Sequence, residues 1–336
     1  MKLSVIIPVK NGGQTLDICL RRIRSQTFKD LEIIILDSTS VDDSKEIAQK
    51  FNAKFINIPL GEFNHGLTRN RGVSFSTSEF IYFTVQDAWI AEDDMFEKML
   101  NHFEDAKVMG VTGHQAIPYG DADKNPAFWF KRFSEPIIET RFFETKDNFE
   151  SLPEEIKFNL SSWDNVSSMY RKSALIEIPF EETDFSEDWI WANRALKNGF
   201  KIIRDPGLVV FHYHHLLFPY AFRTNFTVNY HFLCHFNYRP KLPWSIIGLI
   251  RSINTLTRKR RLTFFKKIYW IIHNCKIKLA IFLSISIFKF AYFIGGKKLL
   301  NTLYEVFFKD VPQGMQNFKK VSSLSRQFNK KLQNLQ

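Results

Sequence analysis

LSVIIPVKNGGQTLDICLRRIRSQTFKDLEIIILDSTS, residues 3–40, decides the fold. Two β-branched apolar runs, LSVIIPV (3–9) and LEIIILD (31–37), bracket a helical pattern over Gln14–Ser25. Apolar residues occupy both parities of each run, so both faces of these strands are expected to be covered. The rhythm continues outward. Asp42–Phe51 reads as helix, AKFINIP (53–59) as strand, Leu67–Ser76 as helix and EFIYFTV (79–85) as a fourth strand. Such alternation predicts a parallel sheet with helices on both faces, whose ligands sit at the carboxyl ends of the strands. The residues at those ends are polar: Lys10 and Asn11, Asp37 and Ser38, Gln86 and Asp87.

From Tyr119 to Leu160 the pattern weakens, and the stretch reads as an irregular insertion over the active site. Regularity returns with Asn165–Tyr170, a helix over Asp188–Asn198 and a strand over Gly207–Phe211. RPKLPW (239–244) reads as a linker, which divides the chain into residues 1–238 and a helical extension, 239–336.

With 336 residues, 45% apolar and 24% charged, the chain can bury a large core. Cys19, Cys234 and Cys275 are far apart and form no CxxC pair, which argues against a disulfide framework or zinc site and for a reducing compartment. The N-terminal apolar run is too short for a signal-peptide core and suits a buried strand. Charge is unevenly spread. Residues 241–336 hold 19 Lys+Arg against two acids, or +17, while the preceding 27 basic and 33 acidic residues give −6. An acidic body with a basic tail implies two functional pieces.

Four segments carry candidate chemistry. Asp37, before STS, could accept hydrogen bonds from a base or ribose, although Asp-Ser-Thr-Ser is also ordinary turn and cap chemistry. In FNHGLTRNRG (63–72), Gly66 at a helix start and Arg69 could face an anion, where the plainer reading is an arginine-rich surface helix. In VQDAW (85–89), Asp87 is the only acid at the strand end and could bind Mg²⁺ or Mn²⁺ bridging to a diphosphate. A single carboxylate is a weak site, and FHYHH (211–215) offers help. Alternation along an extended chain puts His212 and His214 on one side, and a nitrogen ligand favours Mn²⁺ over Mg²⁺. FSEDWIWANR (185–194) holds a candidate base, Glu187 or Asp188, with Ser186 as a possible cap and Trp189 and Trp191 as an apolar platform for a sugar face. Acids at a helix start can equally serve the helix dipole.

In this order, PVKNGG, LDSTS, GLTRN, VQDA and SEDWIWANR resemble the family 2 glycosyltransferases of the GT-A fold, over about residues 3–218. FNHGLTRN and VQDA look like the rhamnosyltransferase branch, in which QDA stands where most members have Asp-x-Asp. The resemblance implies a Rossmann-like α/β nucleotide-sugar fold and inversion by single displacement. It implies Pro8, Val9 and Asn11 lining the nucleotide pocket, Asp37 on the base or ribose, and Arg69 on the diphosphate. Gln86 and Asp87 would contact the donor, with Asp87 and His212 on a divalent metal (Mn²⁺ or Mg²⁺), and Asp188 would be the base. DSTSVDDS departs from the usual glycine-containing version, and VFHYHH lacks the serine between two histidines.

In the tail, LAIFLSISIFKFAYFIGG (279–296) is interrupted by Lys289 and preceded by TRKRR (257–261) and FFKK (264–267). An interfacial amphipathic helix pair on an anionic membrane is favoured over a spanning helix. Nucleic acid ranks lower, because the basic residues alternate with Phe, Ile and Leu. The expected protein is an inverting glycosyltransferase moving rhamnose from dTDP-rhamnose to a lipid-linked cell-surface glycan, cytoplasmic and peripheral at the inner face of the membrane. The alternatives are another UDP-sugar donor, an inactive membrane-docked scaffold, and a nucleotidyltransferase, whose arginine-rich first loop PVKNGG lacks.

Overall fold

Strands β1 (Leu3–Val9), β2 (Leu31–Asp37), β3 (Lys54–Asn57) and β4 (Phe80–Thr84) form within the apolar runs and pair in parallel, side by side as β3-β2-β1-β4. The computed structural model describes residues 2–59, 61–121, 123–129, 136–242, 246–259 and 261–309. Period-2 geometry explains the continuous apolar strands. Leu3, Val5, Ile7 and Val9 enter one core layer with Leu16, Cys19, Leu20 and Ile23 of helix α1 (Gly13–Arg24). Ile6 enters the opposite layer with Ile34, Leu36, Ile81 and Phe83, against Val73 of helix α3 (His65–Phe75). Helix α2 (Ser44–Lys50) lies between them in sequence, connecting β2 to β3.

Beyond β4 the sheet is mixed, extending the four parallel strands read from the sequence. The nine strands among the described residues continue through β5 (Trp89–Ile90), β6 (Val108–Ala116), β7 (Glu139–Arg141), β8 (Ser167–Arg171) and β9 (Lys201–Phe211). β8 is antiparallel to both β4 and β6, whereas β9 runs parallel to β6 and antiparallel to β5 and β7. β9 begins six residues before the expected strand because Asp205-Pro206-Gly207 sits at a register shift, where a proline needs no ladder hydrogen bond. β6 escapes the sequence reading because glycines interrupt its pattern. A Cβ at Gly113 would come 2.3 Å from the Leu208 carbonyl oxygen, so glycine lets the β9 backbone approach.

Helix α4 (Met95–Asn101) buries Met95, Phe96, Met99 and Leu100. The stretch 119–160 is more ordered than expected: it holds β7, α5 (Lys146–Glu150) and α6 (Glu154–Leu160), while residues 130–135 lie outside the described set. Buried Arg141 anchors this stretch by donating to the carbonyls of Leu160 (2.7 Å) and Ser162 (2.9 Å). Two more helices follow, α7 (Lys172–Glu177) and α8 (Glu187–Lys197).

Two compact units emerge. The first, Met1–Tyr119, Phe130–Tyr213 and His231–Arg239, contains the sheet. The second comprises Gly120–Trp129, His214–Tyr230 and Pro240–Gln336. It contains the first part of α9 (Phe218–Phe236), α10 (Ile246–Thr257) and α11 (Phe264–Leu303). Here Phe226 stacks on Phe308 with centroids 3.9 Å apart, and Tyr230 on Tyr304 at 4.2 Å. Residues 243–245 of the expected linker, and all residues beyond 309, fall outside the described set.

The expected apolar stretch 279–296 lies inside α11, which is one helix up to Gly296, where φ is 58°. Trp270, Ala280, Ser284, Phe288 and Ala291 are buried, and on the other side Ile268, Ile272, Leu279, Leu283, Ile287, Phe290 and Ile294 form an exposed stripe at helical spacing. Exposed Lys276, Lys278 and Lys289 flank that stripe. Phe264–Phe308 is also long and apolar enough to cross a membrane, with a mean hydropathy of 1.9 in its most apolar 18-residue window.

Candidate active site

The ends of β1, β2 and β4 meet through side chains that tie the backbone down. Gln86 accepts from the Lys10 amide (2.8 Å) and donates to the Lys10 carbonyl (3.0 Å), joining the turn after β4 to the end of β1. Asn11, at φ 50°, adopts the left-handed conformation that its short polar side chain tolerates. Its amide donates to Ser40 Oγ (2.7 Å) and its Oδ1 accepts from the Val41 amide (2.9 Å). Pro8 pairs with Leu36 beyond the last β1–β4 partners, Ile6 and Phe83, so its missing N–H leaves no gap in that ladder. Val9 is buried opposite Asp37, and its carbonyl accepts from the Ser38 amide at 2.8 Å. Asp37 is itself buried. Its Oδ2 accepts from the Ser40 amide (2.9 Å), while Oδ1 has no hydrogen-bond partner. A buried acceptor without a donor is costly unless a ligand supplies one.

FNHGLTRN behaves differently from the expectation. Asn64 caps α3, its Oδ1 accepting from the Gly66 (3.0 Å) and Leu67 (3.1 Å) amides, so these amides serve their own helix rather than an anion. Asn64 also donates to the Thr183 carbonyl (3.0 Å). Asn70 exchanges two hydrogen bonds with the Phe180 backbone, at 2.8 and 3.0 Å. A Cβ at Gly66 would lie 2.1 Å from the Glu181 carbonyl oxygen, which explains the glycine. The motif therefore clamps the loop that leads into α8. Arg69 is 5% exposed and its Nη1 lies 2.7 Å from Glu187 Oε1, inside the protein.

That clamp holds the strained start of α8. Ser186 sits at φ 71° and makes no side-chain cap hydrogen bond, contrary to the capping expectation. Glu187 is held charged: burial opposes its charge, but Arg69 and His65 beside it hold its carboxyl below the usual range. Asp188 is pushed the other way. Burial, then the charges of Glu187 and Asp164, raise its carboxyl well above the ordinary carboxylate range. It accepts from the amides of Trp189 (2.8 Å) and Asn165 (3.2 Å). Adjacent acids with opposite environments separate an ion-pair residue from a more basic one. Trp191 is no sugar platform: it is 1% exposed, packed on Trp163 and Tyr170 in the core. Trp189 is partly buried against Phe158 and Phe232.

Strand register brings Asp87 and His212 together. Trp89 pairs with Phe211, which brings the segment entering β5 beside the end of β9, and His212 Nε2 lies 3.4 Å from Asp87 Oδ1. Ligand atoms about 2.1–2.3 Å from one ion, at ordinary coordination angles, lie about 3.0–3.8 Å apart, so this oxygen and nitrogen fit a shared divalent cation. On the far side of His212, Nδ1 lies 2.7 Å from Gln115 Oε1, and Gln115 Nε2 donates to Asp164 Oδ2. Gln115, Asp164 and Asn165 carry no motif signal, since only sheet register places them here.

The family model described as Glycosyl transferase family 2 matches residues 4–178, more than half of the chain. The chain is 31% identical over 222 residues to O-antigen chain rhamnosyltransferase RfbN of Salmonella typhimurium, covering 64% of this chain and 67% of that protein. It is 33% identical over 204 residues to O-antigen chain rhamnosyltransferase WbaN of Salmonella anatum, covering 59% and 62%. Among solved structures, S. aureus TarS aligns over 85% of this chain and 55% of its own, at 15% identity and a TM-score of 0.49. With a mixed α/β sheet, polar groups gathered at its strand ends and a family match over most of that sheet, the chain belongs to glycosyl transferase family 2 and is a glycosyltransferase.

Proposed function

We propose that the protein transfers rhamnose from dTDP-rhamnose to a lipid-linked cell-surface glycan, with inversion and with Asp188 as general base. The observation that carries the base assignment is the contrast between Asp188, whose carboxyl is raised, and Glu187, which is held charged by Arg69. A raised carboxyl takes a proton more readily, and the amides of Trp189 and Asn165 hold it in place. In the step itself the acceptor hydroxyl gives its proton to Asp188 and its oxygen bonds to the anomeric carbon. The bond from that carbon to the diphosphate breaks, and the diphosphate leaves with the electron pair.

Asp37 Oδ1, buried and unpartnered, would accept an N–H of the pyrimidine base. Asn11, Val9 and Pro8 would shape that pocket, and Gln86 would hold its floor by tying β1 to the turn after β4. Asp87 and His212 would hold a divalent cation, Mn²⁺ or Mg²⁺. When bound, that cation would neutralise charge on the departing diphosphate. The donor and glycan class rest on the names of the two Salmonella relatives and on Gln86-Asp87-Ala88 in place of an Asp-x-Asp. The exposed apolar stripe of α11 and its flanking lysines support a cytoplasmic protein lying on the anionic inner face of the membrane.

The test is nucleotide release by purified protein with dTDP-rhamnose, UDP-glucose, UDP-galactose and GDP-mannose, each with Mn²⁺ and with excess EDTA. Turnover should be greatest with dTDP-rhamnose and lost in EDTA. Faster turnover of a UDP-hexose would overturn the donor, and full activity in EDTA the cation.

A further inference from the structure

We propose that Gln115 is a positioning residue of the cation site, holding the His212 proton on Nδ1 and turning Nε2 toward Asp87. The inference rests on the reading that Asp87 and His212 hold a divalent cation, and it adds a residue that no sequence motif marks.

The argument begins at Asp164. An ionised carboxylate only accepts hydrogen bonds, so the Gln115 atom against Asp164 Oδ2 must be the amide nitrogen. That choice fixes the other end of the amide: the atom 2.7 Å from His212 Nδ1 is Oε1, also an acceptor. Nδ1 must then carry the ring proton. In a neutral imidazole Nε2 is left with its lone pair, 3.4 Å from Asp87 Oδ1. Two acceptors at that distance repel unless a positive centre lies between them, and a divalent ion supplies one.

Asp164 is in turn held. Its Oδ1 accepts from the Val166 amide (2.9 Å), and its carbonyl accepts from Ser168 Oγ (2.6 Å), on the strand beside β6. Gln115 pairs with Val210 across the β6–β9 ladder. His212 lies two residues beyond Val210, on the same face, so the contact is a diagonal neighbour set by register. The same Asp164 opposes ionisation of Asp188, so one carboxylate touches both the cation site and the surroundings of the base.

Three proteins decide the matter: wild type, Gln115→Leu and Asp164→Asn, each checked for an unchanged thermal melting curve. Asp164→Asn is the second route, because an amide at 164 can donate to Gln115 Oε1 and let the Gln115 side chain turn over. Long-range ¹H–¹⁵N spectra of the metal-free proteins report which His212 nitrogen bears the proton, and calorimetric titration with MnCl₂ in the absence of donor reports affinity. The expected result is an Nδ1–H tautomer in the wild type, lost or mixed in both variants, with Mn²⁺ bound about 10–100-fold more weakly. An unchanged tautomer in Gln115→Leu, or unchanged Mn²⁺ affinity beside a wild type that binds, overturns the role of Gln115. If the wild type itself binds no Mn²⁺ while the tautomer behaves as expected, the cation reading fails, and with it a cation-positioning role for Gln115.

Discussion

Arg69 Nη1 lies 2.7 Å from Glu187 Oε1, with both side chains less than 10% exposed and the two residues 118 positions apart in the chain. The pair joins α3 to the first turn of α8, while Asp188, one residue on, accepts from the backbone amides of Asn165 and Trp189. A guanidinium so engaged steadies the start of α8. Arg69→Met should cost about 3–5 kcal/mol in urea unfolding, because it strands a buried carboxylate. Adding Glu187→Gln should recover much of that loss. If Arg69→Met barely changes stability but raises KM for the donor, Arg69 faces the diphosphate after all.

Asp188→Asn should lower kcat by at least about 10²-fold with little change in donor affinity. A base works only when deprotonated, so the acid limb of kcat should follow the Asp188 carboxyl. Because burial and neighbouring acids raise that carboxyl, the limb should fall well above the ordinary aspartate value of about 3.9. Asp164→Asn removes one of those negative charges, and the limb should then move to lower pH. A limb that stays put, or near-normal turnover of Asp188→Asn, would point to Glu187 instead.

Gly66→Ala tests the clamp. Its Cβ would meet the Glu181 carbonyl oxygen at 2.1 Å, and backbone cannot yield cheaply. The loop into Ser186 should shift, costing about 1–3 kcal/mol of stability and lowering kcat together. Unaltered melting and turnover would show that the loop does not need this close approach.

The exposed stripe of α11 should bind anionic vesicles, less tightly as salt rises. Each surface lysine near anionic lipid contributes about 1 kcal/mol, so Lys276→Gln, Lys278→Gln and Lys289→Gln combined should weaken binding by up to about 100-fold. Ile287→Glu with Phe290→Glu should weaken it on neutral and anionic vesicles alike, through the apolar stripe. Sedimentation across a salt series measures both. Protein that resists carbonate extraction would instead have crossed the bilayer.

Residues 3–85 made the first half of the sheet readable, because strands covered on both faces need apolar residues at every position and amphipathic helices repeat every three or four. Asp37, Asn11, Gln86 and Asp87 were visible for the same reason: they follow those runs directly, where strands of a parallel sheet end together. The sequence also showed the basic tail, since charge is counted and not folded. Only tertiary structure decided the rest. β6 is broken by Gly110, which makes room for the Trp163 and Trp191 rings, and by Gly113, which makes room for the β9 backbone, reasons that exist only once those neighbours are packed beside it. Arg69 could equally have faced a phosphate, and what turns it inward is Glu187, brought near by the loop that Asn64 and Asn70 hold. Gln115, Asp164 and His212 come from three separate segments, and their contact depends on a strand register that local periodicity does not encode.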